Sequence, residues 1–544
     1  MWLRGRFISW VPVTSADDGE KKESFLWSIG SRLLGYGEIL KHDLIRRGSP
    51  DVYQLRTENK KIGCGVTKMT VGKRNPNKSN RTILLVGETG TGKSTLINAL
   101  VNYTMGVQWE DELWFQIVKE EKRSQSESQT SDVIVYEIFE FENKTLPYSL
   151  TIIDTPGFGD TRGSERDAVV ANRLLQLFES EDGVHEVHAV GLVMKASENR
   201  MSDRLRQTFD SVMSLFGKNV ERNIVALITH SNGAKPKNAC EALEAANIKC
   251  ARNEKNEPAH FLFNNSQHED RKEEEKYSKY AHEVSEKGMR EFTTFLGKAV
   301  PQKLQKTVEV LIKKQRLAAC IKNLQDRIKR TEGKQREITE IEQALKIYEE
   351  NMKANENFKV KYDEEYTVKV NINGGSWGVI FYNAAVSCTF CQETCHHPCE
   401  NAWNAEWCRV MSSGRCTVCT NNCPAANHVK ANWIYENRRR TVEKTFENIK
   451  EKYEKNKSQS EKNLSILENL EEEKNRLTAE KSQFLDKSYQ HVVRLEQIAL
   501  KADSASTVVH LDFLIEKMKE RGDTEKVQKL EEIRGREDKR TSTM

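Results

Sequence analysis

Two patterns of apolar residues divide this chain of 544 residues at about position 300. Between residues 80 and 300, short apolar runs alternate with amphipathic stretches, which predicts a mostly parallel sheet covered by helices on both faces. The predicted strands are 82–86, 133–139, 149–153, 187–194, 223–229 and 260–263, and the predicted helices are 93–103, 166–179, 202–215 and 274–296. We therefore predict an α/β domain over residues 80–300.

Beyond residue 300, the apolar positions recur at alternating steps of three and four, as in a long helix that packs along another helix. One such stripe runs from Leu304 to Met352, and a second begins after Trp433. They predict helical arms over residues 301–362 and 433–502, paired as an antiparallel coiled-coil hairpin. The hairpin is either a passive spacer or a specific docking surface.

The residues between the two arms combine β-type sequence with many cysteines. The turn signal Asn373-Gly374-Gly375 lies inside an apolar passage, so residues 363–432 are predicted to form a β-turn segment and a cysteine-rich module at the far tip of the hairpin. The two ends of the chain are less informative. Residues 1–79 form an extension without an assigned role, and residues 503–544 predict two short helices and a disordered basic end.

Composition excludes several classes of protein. The chain has 85 basic and 81 acidic residues, a net charge of +4, and the two signs are interleaved, so no nucleic-acid partner is expected. The N-terminus lacks the apolar core of a signal peptide, and no apolar run approaches the roughly 20 residues of a transmembrane helix. We therefore expect a soluble cytoplasmic protein, with a peripheral position on organelle membranes as the alternative.

A glycine-rich loop follows the first strand of the α/β domain. In GETGTGKST, the residues Gly87, Gly92, Lys93 and Ser94 fill the pattern G-x-x-x-x-G-K-[ST] between a strand and a helix, as a phosphate-binding loop requires. Backbone N–H groups there wrap phosphates, Lys93 reaches the β and γ oxygens, and Ser94 holds Mg²⁺. The residues expected to contact a nucleotide are Gly87, Glu88, Thr89, Gly90, Thr91, Gly92, Lys93, Ser94 and Thr95.

A second motif, Asp154-Thr155-Pro156-Gly157, follows the strand 149–153. A carboxylate at the end of a strand beside the phosphate loop is placed to support the bound Mg²⁺, so Asp154 is predicted to serve that ion. Gly157 can offer an unhindered N–H to the γ-phosphate.

Residues 80–300 resemble a GTPase of the group formed by the septins, the chloroplast-import GTPases and the immune-associated nucleotide-binding (GIMAP) family. The resemblance is carried by GETGTGKSTLINAL, SQTSDVIVYE, IIDTPGFGDTRG, ITHSNG and FLFNNS, in that order. It implies GTP or GDP and Mg²⁺ as ligands and Lys93 and Thr130 as catalytic residues. Thr130 would be the threonine of the first switch, which meets Mg²⁺ and the γ-phosphate.

The base-binding motif departs from this family. Where a relative often has an aspartate that grips guanine, the chain has Thr229-His230-Ser231-Asn232, and Asn232 offers one acceptor oxygen beside a competing donor. Tolerance of other bases is therefore an alternative to guanine specificity. His230 is a candidate for stacking on the base, and Asn264 and Asn265 resemble the second base-contacting loop of the family.

Hydrolysis is also expected to differ from that of many small GTPases. The position after Gly157, where those proteins keep a glutamine that orients water, is Phe158. A phenyl ring cannot position water, so turnover is predicted to be slow, on the order of 10⁻³ per second, unless a dimer partner completes the site.

Eight of the twelve cysteines lie between Cys388 and Cys423. Seven of them form, together with His428, a repeat of two four-ligand sets, Cys388, Cys391, Cys395 and Cys399, then Cys416, Cys419, Cys423 and His428. Such sets fit two structural Zn²⁺ ions, bound either within each repeat or across the two. One zinc with free thiols, disulfides and an iron–sulfur cluster are the alternatives. Cys408 is left over, and His396 and His397 are close enough to substitute.

These features predict a nucleotide-dependent switch that binds GTP, hydrolyses it slowly and controls dimerisation or assembly, with the helical arm contacting an unidentified protein partner. A homodimer or oligomer is expected, through the α/β domain, the coiled coil or both. Two other functions stay open. One is a scaffold that binds nucleotide without hydrolysing it, and the other is a ubiquitin-ligase-like adaptor that uses the cysteine module.

Overall fold

The computed structural model describes eighteen stretches of the chain. They are residues 42–63, 65–118, 132–139, 141, 145–156, 164–197, 208–209, 212–271, 275–354, 359–372, 375–377, 380–382, 384–399, 404–445, 448–449, 451, 466–499 and 505–535. The predictions for Thr130, Gly157 and Phe158 lie outside these residues, as does most of the predicted helix 202–215.

The first twelve strands belong to the N-terminal part of the molecule. They are β1 (His42–Arg46), β2 (Asp51–Leu55), β3 (Glu58–Gly63), β4 (Val66–Val71), β5 (Asn80–Val86), β6 (Leu113–Gln116), β7 (Val133–Ile138), β8 (Ser149–Asp154), β9 (Glu186–Val187), β10 (Ala189–Lys195), β11 (Ile224–Thr229) and β12 (His260–Leu262). Eight of them form one sheet in the order β12-β11-β10-β5-β8-β7-β4-β3. Only the β3/β4 and β7/β8 pairs of that sheet are antiparallel, so the predicted mostly parallel sheet is confirmed.

Among the described residues, four helices pack on this sheet, namely α1 (Lys93–Met105), α2 (Ser164–Glu179), α3 (Lys237–Ala245) and α4 (Glu275–Lys298). Successive residues of β5 point to opposite faces. Ile83 and Leu85 pack in a core with residues of α1 and α4, whereas Leu84 and Val86 pack in a second core with residues of α2 and α3. The prediction of helices on both faces is therefore confirmed.

Two long helices follow, α5 (Gln305–Ala354) and α6 (Ile466–Ile498). Leu317 and Ile321, near the start of α5, share a core with Val492 near the end of α6. Ile338, farther along α5, instead packs with Leu470 near the start of α6. The two helices therefore run antiparallel. Helices α7 (Ala505–Arg521) and α8 (Thr524–Gly535) join the first of these two cores.

The remaining strands comprise a partner of β9, a ribbon, a short hairpin and the strands of a small module. They are β13 (Gln302–Lys303), β14 (Lys359–Asn371), β15 (Gly375–Trp377), β16 (Ile380–Tyr382), β17 (Ala385–Cys388), β18 (Glu393–His396), β19 (Met411–Ser412), β20 (Arg415–Cys416), β21 (His428–Ala431) and β22 (Trp433–Thr445). Strands β14 and β22 pair antiparallel along their whole length, from Lys359 opposite Thr445 to Asn371 opposite Trp433.

The start of the second helical arm is a correction, because residues 433–445 form the strand β22 and not a helix. The apolar spacing after Trp433 resembles a helix, but cross-strand charges favour the ribbon. Arg440 lies opposite Glu364 and forms an ion pair with it at 2.8 Å, and Arg439 lies opposite Glu365 and pairs with it at 3.2 Å. Pairs of opposite charge across a ribbon are stabilising.

The cysteine module does not lie at the far tip of the helical pair, so that prediction is wrong. The ribbon turns back along α5, where Val360 and Tyr362 pack on Ile338 and Ile341. This packing brings the module to the N-terminal half of α5, against Cys320. No helix among the described residues combines the length and apolar sequence needed to span a lipid bilayer.

Candidate functional site

The phosphate loop joins β5 to α1 and depends on two glycines in the left-handed region. Gly90 has φ of +82° and Gly92, which caps α1, has φ of +86°, a conformation that residues with a Cβ adopt rarely. The hydroxyl of Thr91 donates to the Glu88 carbonyl at 2.9 Å and closes the loop. The first turn of α1 contains no acidic residue, so its free N–H groups leave a positive end that suits an anion.

Lys93 lies across this loop. Its Nζ donates to the carbonyl oxygens of Gly87 and Glu88, each at 2.8 Å. Burial lowers the pKa of Lys93 to about 8, opposed by the carboxylates of Asp154 and Glu88. The loop thus contains a desolvated cation, which interacts with a phosphate more strongly than a hydrated lysine does.

Asp154 ends β8, and its backbone pairs with Leu85 of the central strand β5. The side chain is 9% exposed, and no donor from the described residues reaches its Oδ1 atom. Burial raises the pKa of Asp154 to about 6, opposed by Lys93. A buried carboxylate with an unsatisfied oxygen beside a phosphate loop fits the chemistry of a divalent cation site, because bound charge would offset the cost of burial.

The end of β11 lies directly beside the phosphate loop. The hydroxyl of Thr229 donates to the Thr91 carbonyl at 2.7 Å. His230 has φ of +52°, and its Cε1 atom lies 3.5 Å from the position that a Cβ on Gly92 would occupy. Burial lowers the pKa of His230, which favours the neutral form of its ring. The predicted base motif and the phosphate loop therefore lie side by side.

The three predicted asparagines are arranged around α4. Asn232 is exposed, and its Oδ1 accepts the N–H of Ala234 at 3.1 Å, which occupies part of its acceptor capacity. The hydroxyl of Ser285 accepts the N–H of Asn264 at 2.8 Å and donates to Oδ1 of Asn265 at 3.0 Å. The Nδ2 atom of Asn265 is buried and finds no acceptor among the described residues.

Two residues of α4 that hold the segments after β11 and β12 were not found by sequence reasoning. Ser285 holds Asn264 and Asn265, and the hydroxyl of Tyr280 donates to the carbonyl oxygen of Asn232 at 2.8 Å. Both lie in a helix without a motif of its own, so only the folded chain reveals their part in the site.

The cysteines and histidines form three groups, and the ligand atoms of each group lie within 4.8 Å of one another. The groups are Cys388, Cys391, Cys419 and Cys423, then Cys395, Cys416, Cys419 and His428, and finally His396, Cys399 and Cys408. The first two groups therefore combine residues of both repeats and share Cys419. Cys399, predicted with the first repeat, is a correction, because it lies instead with His396 and the leftover Cys408.

The geometry of these groups suits tetrahedral metal ions better than disulfides. Cys391 and Cys423 have Sγ atoms 3.6 Å apart, far beyond a disulfide bond, and the described cysteines are free thiols. Two thiolates on one tetrahedral zinc lie about 3.8 Å apart, given Zn–S bonds of about 2.3 Å. Hydrogen bonds from the Cys391 and Cys395 thiols lower the pKa of Cys419, so the shared sulfur favours the thiolate form that binds metal.

Comparisons with known proteins found a family model and several solved structures. Residues 81–315 match the model of the AIG1 family. Three structures of Toc33 from Arabidopsis thaliana each align with 35% of this chain and 72% of their own. A dimerization-deficient mutant is 16% identical with a TM-score of 0.25, the complex with Mg²⁺ and GMPPNP is 17% identical with 0.25, and the complex with GDP and Mg²⁺ is 17% identical with 0.24. Structural matches with scores this low carry no argument, and the comparison with curated proteins gave no match.

Proposed function

We propose, from the match of residues 81–315 to the AIG1 family model, that the chain binds GTP and GDP with Mg²⁺, hydrolyses GTP slowly and acts as a switch for dimerisation or assembly. The observation that carries the proposal is the pair of buried opposite charges, Lys93 and Asp154, beside the glycine-rich loop. The phosphates of a magnesium nucleotide would compensate the positive charge of Lys93, and its Mg²⁺ would compensate the negative charge of Asp154.

The residues of the site divide the work as follows. The loop N–H groups and Lys93 bind the phosphates, and the hydroxyls of Ser94 and Thr130, with the carboxylate of Asp154, serve Mg²⁺. When bound, Mg²⁺ supplies charge neutralisation at the β and γ oxygens. Gly157 offers its N–H to the γ-phosphate. Phe158 cannot orient water, so hydrolysis is slow in one protomer and a second copy accelerates it.

The base pocket is formed by His230, Asn232, Asn264 and Asn265. Asn265 donates its unsatisfied Nδ2 proton to an acceptor on the base, such as the guanine carbonyl, while His230 stacks on the ring. Since Oδ1 of Asn232 already accepts a backbone N–H, this residue grips the guanine N1–H and amino group weakly. We expect guanine to be preferred over adenine by a smaller factor than an aspartate would provide.

The nucleotide state reaches the rest of the chain through α2, the helix that follows the Asp154 motif. Its last residue, Glu179, pairs with Arg409 of the cysteine module at 2.8 Å. The same Arg409 contacts Gln315 of α5 at 3.3 Å. A shift of α2 would therefore displace the module and the helical arm. The helical arm in turn contacts a protein partner in the cytoplasm.

The cysteine module serves as a structural element with two zinc ions. Cys388, Cys391, Cys419 and Cys423 bind one, and Cys395, Cys416, Cys419 and His428 bind the other, with the Cys419 thiolate shared between them. All the protein ligands that a structural zinc needs are present, so these two sites have no position for a substrate.

Nucleotide binding is tested by calorimetric titration of the full chain with GTP, GDP and ATP in the presence and absence of Mg²⁺. We expect GTP and GDP to bind, Mg²⁺ to strengthen the binding of GTP, and Lys93→Ala to abolish binding. Lys73→Ala, in the turn before β5, is the control of equal charge change and should bind as the wild type does. An unchanged affinity in Lys93→Ala would contradict the proposed site.

Hydrolysis is tested by phosphate release over a range of protein concentrations. The proposal expects the rate per chain to rise with concentration as dimers form. A slow rate that does not depend on concentration would remove activation by dimerisation, and no release at any concentration would favour the scaffold that binds nucleotide without hydrolysing it.

A further inference from the structure

The third group of metal-ligating side chains lies apart from the two structural sites. It consists of His396 at the end of β18, Cys399 three residues later, and Cys408. We propose that these residues form a third zinc site, with three protein ligands and a fourth coordination position that is open to a small ligand. The proposal concerns neither the nucleotide site nor the two sites that share Cys419.

One strand supplies both kinds of site. Successive side chains of a β-strand point to opposite faces, so Cys395 and His396 of β18 face different ways. Cys395 joins Cys416 and His428, whereas His396 joins Cys399 and Cys408. The third site is therefore separate from the second. The two groups share no ligand, and His396 already faces Cys399 and Cys408.

The distances within the third group suit one metal ion. The Sγ atoms of Cys399 and Cys408 are 3.7 Å apart, and Nδ1 of His396 lies 3.2 Å from Sγ of Cys408. On a tetrahedral zinc, two sulfurs lie about 3.8 Å apart, and a nitrogen and a sulfur about 3.6 Å apart, given Zn–S and Zn–N bonds of about 2.3 and 2.05 Å. The sulfur pair already has that separation, and the histidine needs to move back by only a few tenths of an ångström.

The number of ligands distinguishes this site from its neighbours. No fourth cysteine, histidine or carboxylate of the described residues joins the group. Structural zinc sites are closed by four protein ligands, whereas sites with three keep a position for water or another molecule. The donor set of two thiolates and one imidazole favours Zn²⁺ over Mg²⁺ or Ca²⁺, which prefer oxygen ligands.

The open position has space in front of it. His396 and Cys399 line a cavity of about 390 Å³, whose other walls include Gln176 and Glu179 of α2, Gln315 of α5, and Trp407 and Arg409 of the module. The cavity thus lies where the module meets the α/β domain. It is large enough for water or a small thiol, and such a soft sulfur ligand suits a zinc that already carries two thiolates.

Metal content gives the first test. The purified full chain is loaded with Zn²⁺, freed of loosely bound metal on a desalting column and analysed by atomic emission. We expect three zinc ions per chain in the wild type and two in His396→Asn and in Cys408→Ser, with unchanged far-ultraviolet circular dichroism. Cys320→Ser is the matched control, because Cys320 packs on the module but belongs to none of the three groups. It should keep three.

Two zinc ions in the wild type and in both variants would overturn the proposal, as would a Cys399–Cys408 disulfide found by mass spectrometry under reducing purification. No zinc at all would overturn the structural sites as well. Nucleotide binding is measured on the same samples and is expected to be unchanged, so a failure of the proposed nucleotide function is seen separately.

A second test does not depend on any variant. Loading the wild type with Co²⁺ reports coordination through its visible absorption, and 2-mercaptoethanol is then added as the probe of an open position. In the wild type, the intensities of the Co²⁺ absorption bands should change as the thiol is added. The change should saturate when one thiol is bound per chain. A spectrum insensitive to the thiol would show that all the bound metals are closed by protein ligands, which would contradict the open position.

Discussion

Removing the guanidinium of Arg327 should detach the cysteine module from α5. Arg327 donates from Nε and Nη2 to the two carboxylate oxygens of Glu393, at 2.8 and 2.7 Å. The same Nη2 donates to the Val418 carbonyl at 2.9 Å, and the guanidinium lies 4.3 Å from the ring centre of Phe484 in α6. One side chain therefore joins α5, the module and α6.

The burial of this ion pair determines the magnitude. The side chains of Arg327 and Glu393 are only 12% and 10% exposed. Removing one partner of a buried pair costs about 3–5 kcal/mol, because the other charge stays buried without compensation. Glu393 would keep two donors, the N–H and the hydroxyl of Thr420, but Thr420 belongs to the module itself and cannot hold the module on α5. For Arg327→Met, which retains the apolar stem, we expect a loss at the lower end of that range.

The control is an ion pair on the same helix. Lys313 and Glu309 are four residues apart on α5, with Nζ and Oε1 2.6 Å apart and side chains 27% and 48% exposed. Exposed pairs of this spacing contribute about 0.3–0.5 kcal/mol. Lys313→Met removes the same charge and adds the same side chain, yet should have an effect several times smaller.

Hydrogen exchange measured by mass spectrometry gives the free energy of opening for the module itself. The relevant peptides cover residues 416–423, which include the Thr420 amide bound to Glu393. In Arg327→Met their opening free energy should fall by about 3 kcal/mol, while the strands of the eight-stranded sheet stay protected. If the loss were no larger than in Lys313→Met, the ion pair would not be what holds the module on α5, and the argument from burial would be refuted.

Three further changes test the electrostatics and backbone of the α/β domain. Burial raises the pKa of Asp154 to about 6, so the binding of Mg²⁺–GTP, followed by titration from pH 7.5 to 5, should weaken below about pH 6 as the carboxylate gains a proton. The same raised pKa means that ionised Asp154 opposes folding above pH 6. Asp154→Asn should therefore raise the free energy of unfolding at pH 7 by up to about 3 kcal/mol. The same variant should lose the pH dependence of Mg²⁺–GTP binding. Burial lowers the pKa of His188 to about 4, and its Nδ1 accepts the N–H of Thr82 at 3.1 Å. As the pH falls, the His188 ring therefore gains a proton in the unfolded chain before it does so in the folded chain. Up to about 3 kcal/mol of stability is lost between pH 6.5 and pH 4. Urea titrations should find a smaller loss in His188→Gln. Gly92→Ala should weaken nucleotide binding at least tenfold, because φ is +86° there and an L side chain strains the loop backbone. Ala99→Gly, in the helix that Gly92 caps, should alter stability but not affinity.

The sequence could propose the parts of the candidate site that are contiguous in the chain. Gly87 to Ser94 and Asp154 could be proposed because a phosphate loop and a carboxylate at a strand end have fixed local patterns. The pairing of the cysteines was not fixed by their repeated spacing, because β17 and β18 present alternate side chains to opposite faces. Ser285 and Tyr280 could not be predicted at all, since their role comes from the packing of α4 on the end of β11.

The helical periodicity was informative where helices bury their stripe against each other and misleading elsewhere. Ile338 and Leu470 lie in such a stripe, and α5 and α6 pair through it. Val442 continues the apparent stripe, but its segment is held as the strand β22 by its pairing with β14. Local spacing could not show that pairing, because the two strands are separated by the whole cysteine module.

The ribbon of β14 and β22 also says something about how such a chain can be assembled and altered. Asp363 lies opposite Thr441, so the chain leaves for the module and returns from it at adjacent points of one ladder. Antiparallel neighbours lie about 5 Å apart, a gap that a two-residue turn closes. The segment between Asp363 and Thr441 is therefore an insertion whose two ends lie next to each other. It could be gained or lost in evolution, or exchanged by an engineer for a tight turn, while Val360 and Tyr362 below the rung keep their packing on α5.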